Sequence, residues 1–406
     1  MEQRYRLMGN RSAITAMLAL SMLLGSVGTS IANIALPVLA VEFSVAFHEV
    51  QWVAVSYLAA LTVSVLVVGH FADRFGLKLM HLIGLGLFCF ATIWCGLAEH
   101  FPLLIAGRVL QGVGGAFLMT LTLALVRATD GELRMGRAMG LLGTMSAVGT
   151  ALGPSLGGIL LSTTGWRGLF FAEVPLALLA FVLALVSLPP APPDRKFARP
   201  GSWVNIAPYL ARALTTNLMV AAVMMATLVV GPFYLGLGLG LNTAMTGVVM
   251  SIGPLISIAG GVPSGRAVDA LGSKRVLRLG LALLIVGTFL LALLPAVGGV
   301  GGYVAAIAVL TPGYQLFQAA NNTSIMATVD RDRRGRAAAL LTLSRNVGLV
   351  IGASAMGALF SANVGASNLE VAAPDSILRS AQMTFSLAGL LMVVVIMISW
   401  GTAKDP

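Results

Sequence analysis

Apolar residues run along this chain in long unbroken blocks. They do not alternate as in a half-buried strand, nor keep to the single stripe of an amphipathic helix. Blocks of spanning length fall at about 13–37, 50–68, 80–98, 102–127, 138–161 and 168–188, and again at about 214–235, 244–265, 276–296, 302–327, 337–362 and 380–401. About 20 apolar residues in helical conformation cross the hydrocarbon core of a bilayer. A helix also satisfies its own backbone N–H and C=O groups where no water can. The pattern predicts an all-α membrane protein with twelve transmembrane helices. Between the sixth and seventh blocks lies SLPPAPPDRKFARPGSW, too rich in proline and charge to span, which reads as an extended linker. The expected organisation is an N-terminal six-helix bundle (residues 1–188), a cytoplasmic linker (189–213) and a C-terminal six-helix bundle (214–406).

Composition supports the bilayer as solvent. Hydrophobic residues make up 58% and charged residues 10% of the 406, against about 45–50% and about 25% in soluble domains. The net charge of +10 would suggest nucleic acid for a soluble protein, but here the basic residues sit in the gaps between blocks. With the N-terminus inside, the cytoplasmic gaps hold Arg4, Arg6, Arg11, Arg74, Lys78, Arg127, Arg134 and Arg137 in the first half, and Arg266, Lys274, Arg275, Arg278, Arg331, Arg333, Arg334 and Arg336 in the second. The outer gaps hold only Arg167 and Arg379. The positive-inside rule then puts both termini in the cytoplasm, in a bacterial plasma (inner) membrane. The arginines before the first block resemble a signal peptide, but no small-residue cleavage site follows, so the block is read as a retained helix.

The halves repeat. GHFADRFGLK follows the second block with Gly69, Asp73, Gly76 and Lys78, and GRAVDALGSK follows the eighth with Gly265, Asp269, Gly272 and Lys274, each 196 residues later. Gly136-Arg137-Ala138 recurs as Gly335-Arg336-Ala337, 199 residues on. Two features at nearly one separation indicate a duplicated six-helix unit, the architecture of secondary transporters.

Gly69-x-x-x-Asp73-Arg74-x-Gly76-x-Lys78 resembles the signature loop of the major facilitator superfamily, and the resemblance covers essentially the whole chain. It implies two pseudo-symmetric six-helix bundles, a central cavity and alternating access, with the loop and its second copy acting as a cytoplasmic clasp. The glycines are expected to allow a sharp turn and close approach. In the fourth block, LIAGRVLQGVGGA resembles the helix-four motif of proton-coupled facilitators and places Arg108 roughly 9 Å deep at about 1.5 Å per residue. An arginine there costs at least about 2.5–3.5 kcal/mol and is expected to face a cavity or a partner. In the fifth block, GTALGPSLGG, with Gly149, Gly153, Pro154, Gly157 and Gly158, resembles the antiporter motif of drug:proton exporters. Its small residues are expected to pack helices closely at the interface between the halves. TSIANIALP (Thr29 to Pro37) and WRGLFFAEVP (Trp166 to Pro175) resemble segments of the multidrug exporter branch whose members usually have fourteen helices. The chain departs from that branch in having no room for two extra central helices. It also carries Gly28 where relatives have a helix-one aspartate, and Glu173 where they have a helix-six asparagine.

Those departures bear on coupling. Arginines do not titrate usefully, which leaves Glu173, roughly 8 Å from the outer end, as the ionisable residue well inside a block. Glu173 with Arg108 is the candidate coupling pair. Polar residues in a membrane helix are expensive unless they meet water or a partner, so Asn33, Gln111, Tyr234, Tyr314, Gln318, Asn321, Arg345 and Asn346 are candidate cavity residues. Tyr314, Gln318 and Asn321 fall on one helical stripe, and Phe233 with Tyr234 is a candidate outer gate. His48, His70, His81 and His100 read as solvated residues at helix ends or in loops. Cys89 and Cys95 suggest neither disulfide nor metal site.

No phosphate-binding glycine loop, catalytic constellation or metal-spaced cluster is present in the sequence. The chain therefore reads as a non-enzyme without cofactors, with protons, a small molecule and the bilayer as partners, acting as a monomer without nucleic acid. The expected activity is proton-coupled export of amphipathic drugs or small organic metabolites. An uptake carrier or uncoupled facilitator, and a non-transporting receptor on the same fold, are the alternatives.

Overall fold

The structure is a computed structural model describing residues 2–130, 135–188, 208–329, 334–364 and 372–400. Most of the predicted linker, 189–207, lies outside the described residues. The described residues are helical throughout: α1 (Glu2–Ser30), a 3-10 turn (Ile31–Ala35), α2 (Leu36–Glu42), α3 (Phe47–Val50), α4 (Trp52–Phe75), α5 (Leu77–Leu97), α6 (Phe101–Asp130), α7 (Met135–Phe171), α8 (Glu173–Ser187), α9 (Pro208–Phe233), a π-helical turn (Tyr234–Gly238), α10 (Thr243–Leu271), α11 (Ser273–Thr328), α12 (Arg334–Val364) and α13 (Pro374–Trp400).

Ten of these helical stretches are long and apolar enough to cross a membrane. Two are hairpins. Gly165 (φ 73) breaks α7 and Gly299 (φ 52) breaks α11, and a left-handed residue reverses the chain at little cost only when it is glycine. Val148–Ser187 and Ser273–Thr328 each hold two of the predicted blocks, so the stretches account for twelve crossings. The seventh crossing begins at Pro208, earlier than hydropathy predicted, because proline suits a first helical turn.

The chain forms two compact units, Met1–Ala35 with Trp52–Gly201, and Leu36–Gln51 with Ser202–Pro406. In the first, α6 packs against α4 and α5, and α1 against α6, α7 and α8. In the second, α9 packs against α12 and α13, and α10 against α11. The structure thus groups residues 36–51 with the second unit, where the sequence boundary left them with the first. The reason is packing: α2 lies on α9 and α3 on α12, and the side chain of Gln51 fills the space above Gly357.

The duplication is visible in how helices touch. A Cβ on Gly84 would strike Phe117, and one on Gly114 would lie 2.8 Å from the backbone N of Phe88. Their repeats 196 and 199 residues later, Gly280 and Gly313, make the same kind of contact: Cβ atoms there would lie 2.6 Å from Phe317 N and 2.8 Å from Leu283 Cβ. The core is largely apolar, but so is the exterior, unlike that of a soluble protein. Leu178, Leu179, Val182, Leu185 and Val186 of α8 are exposed, while Arg108, Gln111 and Glu173 are buried. An apolar exterior on this scale is a surface for lipid.

Candidate functional site

In the first unit, helices converge on Arg108 of α6, which is wholly enclosed. Its Nε donates to the Val53 carbonyl of α4 at 2.8 Å, its Nη2 to the Gly28 carbonyl of α1 at 2.9 Å, and its Nη1 to Gln111 Oε1 at 2.6 Å. The guanidinium carbon stands 4.4 Å from the centre of the Tyr57 ring. Hydrogen bonds to a charged group are worth about 1.5–3 kcal/mol each, and three of them offset the cost of placing an arginine at this depth.

Gln111 carries the arrangement onward. Its amide nitrogen donates to Thr92 Oγ1 of α5 at 2.9 Å and to Glu173 Oε2 of α8 at 2.8 Å. The Thr92 hydroxyl gives its own proton to the Phe88 carbonyl at 2.7 Å, so it is free to accept. Both amide hydrogens of Gln111 and its oxygen are then committed, and the amide links guanidinium to carboxylate. Glu173 is 2% exposed, and its Oε1 has no partner. The structure thus gathers Arg108, Gln111 and Glu173 around one amide, together with Tyr57 and with Thr92 and two backbone carbonyls, the last three missed by sequence reasoning. The signal for Gln111 was its place one helical turn after Arg108. Nothing in the sequence marks a carbonyl acceptor.

Gly28 also has a steric role. A Cβ there would lie 2.9 Å from Tyr57 Oη, and one on Gly115 2.6 Å from the same atom. The hydroxyl donates to the Gly25 carbonyl at 3.0 Å. Gly28 makes room for the tyrosine under Arg108.

The clasp glycines divide into two roles. Gly76 (φ 88, ψ 148) and Gly272 (φ 81, ψ 148) form nearly identical turns before α5 and α11. Gly69 and Gly265 lie inside α4 and α10 with nothing within 4 Å of a Cβ, so the close approach expected of them is not made. Lys78 donates to the carbonyls of Leu185, at 3.1 Å, and Leu188, capping the end of α8 where carbonyls lack helical partners. Arg74 lies over the Phe75 ring at 5.3 Å. In the second copy Asp269 and Lys274 are placed at the same turn, and the Lys274 carbonyl accepts from Arg278 Nε at 3.4 Å. The side chain of Asp73 lies outside the described residues.

Within the first unit, Gly149, Gly153 and Gly157 of GTALGPSLGG face α1 and the 3-10 turn that follows it. Cβ atoms on Gly149 and Gly157 would lie 2.8 Å from the Leu23 carbonyl oxygen and from Ile34, and one on Gly153 would strike Ser30. The second half repeats the contact at an offset of 199: Gly348 and Gly352 press on the carbonyls of Leu218 and Ala222 of α9. Gly158 likewise has its counterpart in Gly357, so Pro154 and Gly157 are what remains peculiar to the first half. Small residues here pack one helix pair in each unit.

His81 corrects the reading of the histidines. It is fully buried in α5, with Nε2 3.1 Å from Ser21 Oγ. A polar pair inside an apolar run escapes a hydropathy scan because a single residue scarcely lowers the average.

In the second unit, Tyr234 is buried and stacks on Tyr303 with ring centres 6.1 Å apart, while Phe233 sits 6.3 Å from Phe360. Gln318 donates to Tyr314 Oη at 2.7 Å, so two members of the stripe satisfy each other. Asn321 and Asn346 are buried, with Asn321 Nδ2 unpartnered. Arg345 of α12 is half-buried with its Nε unpartnered. In the first unit Asn33 is fully enclosed in the 3-10 turn and bonds the Thr29 carbonyl at 3.3 Å.

The family profile of the Major Facilitator Superfamily matches residues 18–353. The chain belongs to that superfamily. Its members are transporters, not known as enzymes, and this facilitator is a membrane-spanning transporter. It is 28% identical over 382 residues to the uncharacterized transporter YebQ of Escherichia coli (strain K12), covering 80% of this chain and 84% of that one. It is 23% identical over 400 residues to the riboflavin transporter RibZ of Clostridioides difficile (strain 630), covering 86% and 88%. The multidrug resistance protein Stp of Mycobacterium tuberculosis (strain CDC 1551 / Oshkosh) is 34% identical over 179 residues, 43% of this chain and 33% of its own. Among solved structures, an inward-facing, occupied bacterial homologue of the human lysosomal transporter Spinster superposes with a TM-score of 0.81 over 97% of each chain at 17% identity. At that identity the likeness shows the fold.

Proposed function

We propose that this facilitator is a secondary active exporter of amphipathic organic molecules driven by the proton gradient, with Glu173 as the proton-carrying group. The observation that carries the reading is the buried chain Arg108–Gln111–Glu173, which leaves Oε1 of the carboxylate without a partner. A carboxylate can take and release a proton, whereas the guanidinium cannot. Each change of state at Glu173 is transmitted through Gln111 to Arg108, and from there to α1 at Gly28 and α4 at Val53. A binding event that alters contacts on several helices at once can bias a two-state equilibrium between access states. The gradient supplies about 2.3 kcal/mol per charge per 100 mV, plus its pH component. Export is supported by partial-length similarity to a multidrug resistance protein and, at 33% identity over 177 residues, to the tetracenomycin C resistance and export protein of Streptomyces glaucescens. The plasma-membrane location, cytoplasmic termini and monomeric state are part of the same proposal.

The test is lumenal pH in energised everted vesicles given a panel of amphipathic compounds. Proton release on adding one compound class, lost in Glu173→Gln, is the expected result. Gradient-independent equilibration of the same compounds, unchanged by Glu173→Gln, would instead make the protein an uncoupled facilitator, the reading to which Gly28 lends support.

A further inference from the structure

The two arginines inside crossings have opposite surroundings. Arg108 is bonded on all three nitrogens. Arg345 lies about 16 Å along α12 from its start at Arg334 at about 1.5 Å per residue, near mid-depth of a core about 30 Å thick. Its Nε is enclosed without an acceptor. The described carboxylates of the second unit, Glu42, Glu49, Asp269 and Asp375, all stand in terminal turns or short helices. Each stands within a few residues of the end of its crossing, and none lies at mid-depth to serve as counter-ion. Beside it on α12, Ser344 and the Leu341 carbonyl accept from Asn217 Nδ2 at 2.8 and 2.9 Å, and on α11 Gln318 donates to Tyr314 Oη. Among the other orphans of this unit are Asn321 Nδ2, also a donor, on α11, which packs on α12, and Asn217 Oδ1 on α9, an acceptor that is not bonded to Arg345.

A cation at this depth is expensive unless it meets an opposite charge or an acceptor, and Arg345 Nε is bonded to neither among the described residues. From this we infer that Arg345 is a recognition site for an oxyanion of the cargo, a carboxylate, sulfonate or phosphoryl group on an amphipathic molecule, with Asn321 adding a second donor. The planar guanidinium suits such groups because two N–H bonds reach two oxygens at once. The inference rests on the transport reading and narrows its substrate class, but is independent of proton coupling.

The experiment is equilibrium binding to the full chain in lipid nanodiscs without any gradient. Pyrenebutyrate and deoxycholate are the probes, each beside its uncharged methyl ester. At least one acid is expected to bind about tenfold or more tightly than its ester, the value of one charge-assisted bond. Arg345→Gln removes that preference while leaving ester binding and thermal unfolding unchanged, Arg345→Lys keeps part of it, and Glu173→Gln leaves it intact. Equal binding of every acid and ester by the wild type, or an acid preference untouched by Arg345→Gln, overturns the assignment. Because no gradient is applied, either result stands apart from success or failure of the coupling proposal.

Discussion

The Nη2 of Arg108 donates to the backbone carbonyl of Gly28 at 2.9 Å. A residue chosen for having no side chain thus presents its main chain to the buried cation, at the position where the multidrug exporter branch is expected to carry an acid. On the far side of the same guanidinium, Gln111 leads to Glu173 on α8. The acidic partner of this arginine stands on α8, not on α1.

Gly28→Asp is therefore expected to disrupt the site without restoring it. The new Cβ would fall 2.9 Å from Tyr57 Oη, and overpacking of this kind costs about 1–3 kcal/mol. Thermal unfolding in detergent should show a lower Tm, and Glu173→Gln combined with Gly28→Asp should remain uncoupled in vesicle pH recordings.

Gln111→Leu removes the bridge at nearly constant volume. It leaves Arg108 Nη1 and Glu173 Oε2 without their partner inside an enclosed site, and each buried orphan costs about 1–3 kcal/mol. The expected result is a marked drop in Tm together with lost proton-driven transport. The double variant Gln111→Leu, Glu173→Leu should lose less stability than the two single losses combined, because the groups share one network.

The clasp glycines should respond in pairs that cut across the motif. Gly76→Ala and Gly272→Ala force a side chain into φ values of 88 and 81, and both are expected to destabilise. Gly69→Ala and Gly265→Ala meet open space in helix interiors, where alanine is favoured over glycine by about 0.8–1 kcal/mol. They should leave Tm unchanged or slightly raised. Equal losses at all four positions, read by Tm, would contradict this division.

The GTALGPSLGG glycines should have stability partners in the other half. Gly153→Ala would strike Ser30, and Gly352→Ala the Ala222 carbonyl. Both are expected to lower Tm, the second more, because backbone yields less readily than a serine side chain. An effect on transport alone, confined to Gly153, would favour an export-specific role for the stripe.

Lys78→Ala should be mild. It removes the ammonium from the last carbonyls of α8, a contact worth about 0.3–1 kcal/mol. A reduction in Tm of a degree or two, without loss of probe binding in nanodiscs, is expected.

The sequence by itself determined the solvent, the number of crossings and the duplication. These depend on properties summed over many residues, or on spacings that survive in the chain, such as Gly69 with Gly265 and Gly76 with Gly272. It also singled out Arg108, Gln111 and Glu173, since a polar side chain in an apolar run is costly wherever it points. What only the tertiary structure decided is whom each of them meets. Gln111 joining Arg108 to Glu173, Gly28 yielding space to Tyr57, His81 buried against Ser21, and residues 36–51 packing with the second unit all bring together positions far apart in the chain. Several of these contacts are made by backbone carbonyls, which every residue possesses and no pattern of side chains reveals. The contrast between a satisfied Arg108 and an unsatisfied Arg345 is of the same kind. The two arginines read alike along the chain, and differ because packing supplies acceptors to all three nitrogens of one and leaves the Nε of the other without one.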